Sequence, residues 1–169
     1  MPSECKATRE APLAGGCLCG ANTFELTSGM LSEIQHCYCT QCRKTSGAPF
    51  VTWTPVNERD FKWTSESADS LILQHMSKEA IRGTCGKCGS TLRMVYPGSE
   101  NPWQLPGSRG EGQGTVWAAV GALDYDTLLA KEEHSEAMQC RVVHICVKSK
   151  APWVLLPDDG ATRLDYTFD

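Results

Sequence analysis

Hydrophobic positions along this chain come in short alternating or unbroken stretches divided by glycine and proline, and none holds a helical period for long. Residues 21–26 (Ala-Asn-Thr-Phe-Glu-Leu) alternate as a half-buried strand does. Residues 50–53 and 71–73 are β-rich runs bounded by turn formers, and 116–120 and 142–147 are the strongest later strands. Helix is confined to two short segments, 40–44 with the Thr40 hydroxyl as its cap, and 124–130. From 97 to 114 three prolines and five glycines predict a long surface loop, of the kind used as a lid or insertion. The chain reads as mainly β with few short helices.

Length and charge narrow this picture. At 169 residues the chain is expected to form one small domain, 13–169, after a polar tail at 1–12. A formal charge of −4 argues against a nucleic-acid partner, because phosphate binding draws on lysine and arginine clusters that the chain lacks. The polar start has no apolar run of the kind a signal peptide or membrane span needs, so a soluble cytoplasmic protein without a membrane partner is expected.

Seven of the ten cysteines change the reading from fold to chemistry. They form three clusters, Cys17-x-Cys19, Cys37-x-Cys39-x-x-Cys42 and Cys85-x-x-Cys88. C-x-x-C delivers two sulfurs to a tetrahedral metal from one turn. C-x-C does so from an extended segment, where residues i and i+2 share a face. Five disulfides are the competing reading, but disulfide-dense domains are usually shorter and C-x-C suits a metal better than a bridge. Cys5, Cys140 and Cys146 are then free thiols that need no partner in a reducing compartment.

The triple cluster can furnish a three-ligand site unaided, whereas each pair needs a partner. Pairing Cys17 and Cys19 with Cys85 and Cys88 leaves nothing over, and gives a structural zinc joining the start of the fold to its middle. Two other arrangements stay open. A triple residue joins a pair, or His36 serves as a fourth ligand; both zincs would then only staple the fold. Under the first division Cys37, Cys39 and Cys42 leave one corner of a second zinc to a substrate thiol, which the ion keeps deprotonated for attack on an aldehyde carbon. Arg43 and Lys44 follow directly and are candidates to attract a substrate carboxylate or the developing oxyanion. His144 reads as a core histidine, and Trp53, Trp63, Trp117 and Trp153 as core or pocket wall.

With their neighbours, these clusters resemble the glutathione-dependent formaldehyde-activating enzyme family, which also includes centromere protein V. The resemblance runs through Gly16-Cys17-Leu18-Cys19-Gly20, Cys37-Tyr38-Cys39-Thr40-Gln41-Cys42-Arg43-Lys44-Thr45-Ser46-Gly47 and Cys85-Gly86-Lys87-Cys88-Gly89-Ser90-Thr91-Leu92. It continues in Gly121-Ala122-Leu123-Asp124 and in the tail from His144 to Trp153. It implies a β-tent-like fold, a structural zinc on the outer pairs, a catalytic zinc on the triple, and carbon–sulfur lyase chemistry on a thiol, glutathione in the best-known member, and an aldehyde. Tyr38 stands where histidine is common in the family, and the 97–114 segment looks inserted. The alternatives carried forward are a natural-product tailoring enzyme of the same fold with a non-glutathione substrate and a non-catalytic zinc-stabilised binding module; a homo-oligomer stays open.

Overall fold

The computed structural model describes residues 12–27, 31, 33–65, 70–76, 80–96, 114–132 and 140–165. Cys5, the N-terminal tail before residue 12, and the proline-glycine loop up to residue 113 lie outside them. Among the described residues there are eleven strands and two α-helices: β1 Leu13–Gly16, β2 Thr23–Leu26, β3 Glu33–Cys37, α1 Thr40–Ser46, β4 Val51–Asn57, β5 Phe61–Ser65, β6 Leu71–His75, β7 Ile81–Cys85, β8 Thr91–Val95, β9 Thr115–Ala119, α2 Tyr125–Glu132, β10 Arg141–Ile145 and β11 Thr162–Leu164. The mainly β expectation holds. No described helix is long and apolar enough to cross a membrane.

The strands form two sheets, a small one in the order β1-β2-β5 and an eight-stranded one in the order β11-β10-β3-β4-β9-β8-β7-β6. Every pairing is antiparallel except those of β10, which runs parallel to both β3 and β11. Strand β9 sits centrally and all five of its residues are buried. Its alternation divides the core. Val116 and Ala118 join Phe24, Leu26, Phe61 and Leu92 on the face covered by the small sheet. Trp117 and Ala119 join Trp53, Met94, Val143 and Ile145 on the other.

An aromatic trio anchors the small sheet. Phe24 stacks on Phe61 with centroids 4.8 Å apart, and Trp63 meets both edge-on. Each such pair adds about 0.5–1.5 kcal/mol beyond the area it buries. Gly15 of β1 lies under this trio because nothing larger fits: a Cβ there would stand 2.6 Å from the Ala122 carbonyl oxygen and 2.8 Å from Phe24.

Local expectations needed three corrections. Strand β4 continues past Trp53 through Pro55 to Asn57. Its pairing with β3 covers only Val51 to Trp53, so the proline falls where β3 no longer asks for an N–H. Helix α1 is capped by Cys39 rather than Thr40, the Cys39 sulfur accepting from the Cys42 amide. Strand β10 stops at Ile145, because Cys146 is left-handed (φ 57°) and the chain enters a short 3-10 turn, Val147–Ser149.

That turn leads into a tail docked through polar contacts. The Asp159 carboxylate accepts from His144 Nε2 at 2.9 Å, and the other ring nitrogen of His144 lies 2.9 Å from the Tyr38 hydroxyl. Arg163 closes on the second Asp159 oxygen at 3.1 Å. His144 is thus a hydrogen-bonded core histidine, as expected of it.

Two outcomes test this architecture. Gly15→Ala is expected to lower stability by about 1–3 kcal/mol in urea unfolding, the ordinary cost of overpacking. Asp159 is held down to about 2, chiefly by its hydrogen bond from His144 and then by the Ala161 amide. Because this folded value lies below the ordinary carboxyl value of about 3.9, the undocked state binds more protons as the medium acidifies. The stability advantage of wild type over Asp159→Asn is therefore expected to be complete above about pH 4 and to shrink as pH falls toward about 2.

Candidate metal centres

Cys17 follows β1 and Cys85 ends β7, and the two face each other across the core beneath the small sheet. Contrary to the extended reading of C-x-C, β1 ends at Gly16 and Cys17 to Cys19 lie on a turn. Gly20 closes this turn at φ 73°, its amide donating to the Cys17 carbonyl; Gly89, at φ 77°, closes the turn after Cys85 in the same way. Glycine adopts these left-handed values without the Cβ penalty. A bond from the Leu18 amide to Ser90 Oγ at 3.1 Å fastens one turn to the other.

The four sulfurs of Cys17, Cys19, Cys85 and Cys88 all lie within 4.8 Å of one another. Cys17 to Cys19 is 3.5 Å and Cys19 to Cys85 is 3.7 Å. Sulfurs at about 2.3 Å from a tetrahedral ion stand about 3.8 Å apart, whereas a disulfide requires about 2.05 Å. The donor set fits a metal ion. Backbone and hydroxyl groups prepare the thiols: the Asn22 amide donates to Cys17 Sγ at 3.3 Å, and the Ser90 hydroxyl and amide hold Cys88 down to about 5.

The second group lies on the opposite face of the large sheet. Cys37 ends β3, Cys39 caps α1, Cys42 sits in its first turn, and all three are buried with their sulfurs within 4.8 Å of one another. The neighbouring thiols of Cys146, Cys37 and Cys42 draw Cys39 far down, while those of Cys146, Cys39 and Cys42, and then burial, push Cys37 well up. One negative charge shared among crowded sulfurs suits a cation at their centre.

Arg82, which the sequence did not single out, supplies the positive charge here. It is 3% exposed, donates from Nη2 to Cys42 Sγ at 3.2 Å and from Nη1 to Thr45 Oγ1 at 3.4 Å, and lies over the Trp53 ring. Burial works against its charge, but the sulfurs of Cys42, Cys39 and Cys37 more than offset this and raise its pKa. Arg82 and Cys85 are three apart on β7 and so face opposite ways. One strand thereby serves both centres. Tyr96 packs against the same cluster, its hydroxyl kept protonated by burial and then by the charge of Cys37.

The other expected residues fall as follows. Arg43 is half-buried and its Nε has no partner among the described residues, while Lys44 is exposed. His36 faces away from Cys37, with Nδ1 at 3.0 Å from the Thr52 hydroxyl and its ring against Phe50 and His144. It joins neither group of sulfurs. Cys140 donates to the Leu31 carbonyl, and Cys146, expected to stand apart, lies 3.9 Å from Cys37 Sγ. A cleft of about 630 Å³ runs from Cys17 and Leu18 past Ser90 and Asp124 to Phe50 and Ser46 beside α1.

Comparison with known proteins places the chain. No curated protein matches it in sequence. A crystal structure of a Rhodobacter sphaeroides protein, a structural-genomics target, is similar at 15% identity and a TM-score of 0.47, covering 90% of this chain and 99% of the other. The profile of the glutathione-dependent formaldehyde-activating enzyme family matches residues 12–134. That span takes in all seven clustered cysteines and Arg82, and this chain belongs to the glutathione-dependent formaldehyde-activating enzyme family.

Proposed function

We propose that the chain is a zinc-dependent enzyme that makes or breaks a carbon–sulfur bond between a thiol and an aldehyde or similar electrophilic carbon. Residues 13–169 then act as one domain with a zinc on each sulfur group, one structural and one catalytic. The unequal donor sets carry this reading: four sulfurs meet in one group and three in the other, with a buried arginine beside the three. Zinc held by Cys37, Cys39 and Cys42 would keep a substrate thiol deprotonated at neutral pH.

The chain's own groups account for the rest. Arg82 offsets the negative charge of the three thiolates, which lets a further anionic sulfur approach. As the thiolate sulfur bonds to the carbonyl carbon, the π pair moves to oxygen, which then takes up a proton. The reverse sequence parts carbon from sulfur. The cleft is of a size for a small peptide thiol such as glutathione, and Asp124 offers a carboxylate to an ammonium group; its lining takes in Cys17 and Ser46 but none of Cys37, Cys39 and Cys42. Arg43 and Lys44 stand on the helix that carries Cys42, where either meets a substrate carboxylate.

Cys39→Ser is expected to yield a folded protein with one zinc by elemental analysis and no turnover of glutathione with formaldehyde by NMR. Cys85→Ser is expected to leave the chain unfolded by circular dichroism, since a structural zinc contributes about 10–16 kcal/mol, as much as a whole domain's stability. Two zincs retained in Cys39→Ser would overturn the division of labour. Arg82→Gln is expected to keep both zincs and lower kcat/KM for the thiol about 10- to 100-fold, the usual effect of losing a group that supports a metal's ligands.

A further inference from the structure

We infer that Cys146 is a fourth sulfur donor to the centre formed by Cys37, Cys39 and Cys42, holding at rest the position that a substrate thiol takes during turnover. This rests on the reading of that triple as a zinc site.

The position of the sulfur is the first argument. Cys146 Sγ is 3.9 Å from Cys37 Sγ, close to the edge of about 3.8 Å for tetrahedral zinc–sulfur geometry and far from a disulfide. Cys146 is fully buried in the same part of the core, outside the trio whose sulfurs all lie within 4.8 Å of one another, so ligation requires it to close toward the other two when an ion binds.

The backbone is the second. In the parallel pairing of β10 with β3, His144 stands beside His36 and Ile145 beside Cys37. Continued alternation would send the next side chain back to the His144 face, away from the sulfurs. Instead Cys146 takes φ 57° and ψ 38°, and it is the one non-glycine residue with positive φ among those described. Such a conformation is strained for a residue that carries a Cβ. Its effect is to turn the thiol onto the face of Cys37, where Val143 and Ile145 already lie. The Ser149 amide, donating to the Cys146 carbonyl at 3.0 Å, holds the kink.

Charge is the third. Four thiolates on a divalent ion leave two negative charges, one more than three would. Arg82 lies buried at this centre, with Nη2 on Cys42 and with Nε lacking any partner among the described residues. A buried cation with donor capacity to spare fits the more anionic set.

The test uses the full chain and Cys146→Gly, because glycine removes the sulfur and relieves the left-handed backbone. Wild type is expected to hold two zincs, all of whose ligands are sulfur by X-ray absorption. In Cys146→Gly about one sulfur in eight is expected to be replaced by oxygen, with a matching loss of sulfur-to-cobalt charge transfer in the cobalt form, and added glutathione is expected to restore both. A variant that keeps only one zinc also supports ligation by Cys146. An oxygen donor present in wild type and unchanged in the variant would overturn the inference while leaving the zinc reading intact. So would a Cys37–Cys146 disulfide found by mass spectrometry in protein prepared without reductant. One zinc in wild type would instead sink the reading of the triple.

Discussion

The drawing of four sulfurs to one point ties the turn after β1 to the end of β7, segments more than sixty residues apart in sequence. Hydrogen bonds add to this tie, the Gly86 amide donating to the Ser70 carbonyl and the Ser70 hydroxyl to Asn22 Oδ1. Each of the two turns has a glycine in the left-handed region and exposed residues beside it, and a short hydrogen-bonded bracket from Leu18 to Ser90 is their direct link. Loop closure over that distance is costly for the chain, and a metal that binds only the folded arrangement is the kind of interaction that repays it. The small sheet inherits its position from this junction. With β1 anchored, Phe24, Phe61 and Trp63 can cover one face of the large sheet, and Gly15 lets β1 pass close to the Ala122 carbonyl.

The other face of the same sheet is arranged for a different end. Strand β7 sends Cys85 to one side and Arg82 to the other, so the anchoring centre and the centre with the buried arginine share a rigid support. Cys37, Cys39 and Cys42 come from the end of a strand, a helix cap and the first turn of the helix, three backbone settings within six residues. Enclosure in a face lined by Trp53, Trp117 and Met94 removes competing water and strengthens every charge interaction at the sulfurs.

How much of this can be read from the chain depends on distance along it. The sulfur groups were legible because metal-ligand spacing is local, and the mainly β character because the apolar runs are short. Strand β1, with the sequence Leu-Ala-Gly-Gly, was not legible, since its fitness for a strand lies in the space under Phe24 and not in propensity. Pro55 hid the second half of β4 for the same reason, as only the pairing reveals that β3 has ended there. Arg82 and Cys146 reach the triple through β7 and β10, whose register no local pattern discloses. A lone arginine between Ile81 and Gly83, close before a clustered cysteine, was the available hint.

The parallel pairing of β3 with β10 sets an order of events during synthesis. Glu33 finds its partner Arg141 only after more than a hundred further residues have been made. Until then one side of β3 lacks its neighbour, and Cys37 awaits the segment that brings Val143, Ile145 and Cys146 against it. A nascent chain therefore leaves Cys37, Cys39 and Cys42 without this cover until β10 has been made. Early capture of an ion by the local triple would guard these groups against oxidation before the tail arrives to enclose them.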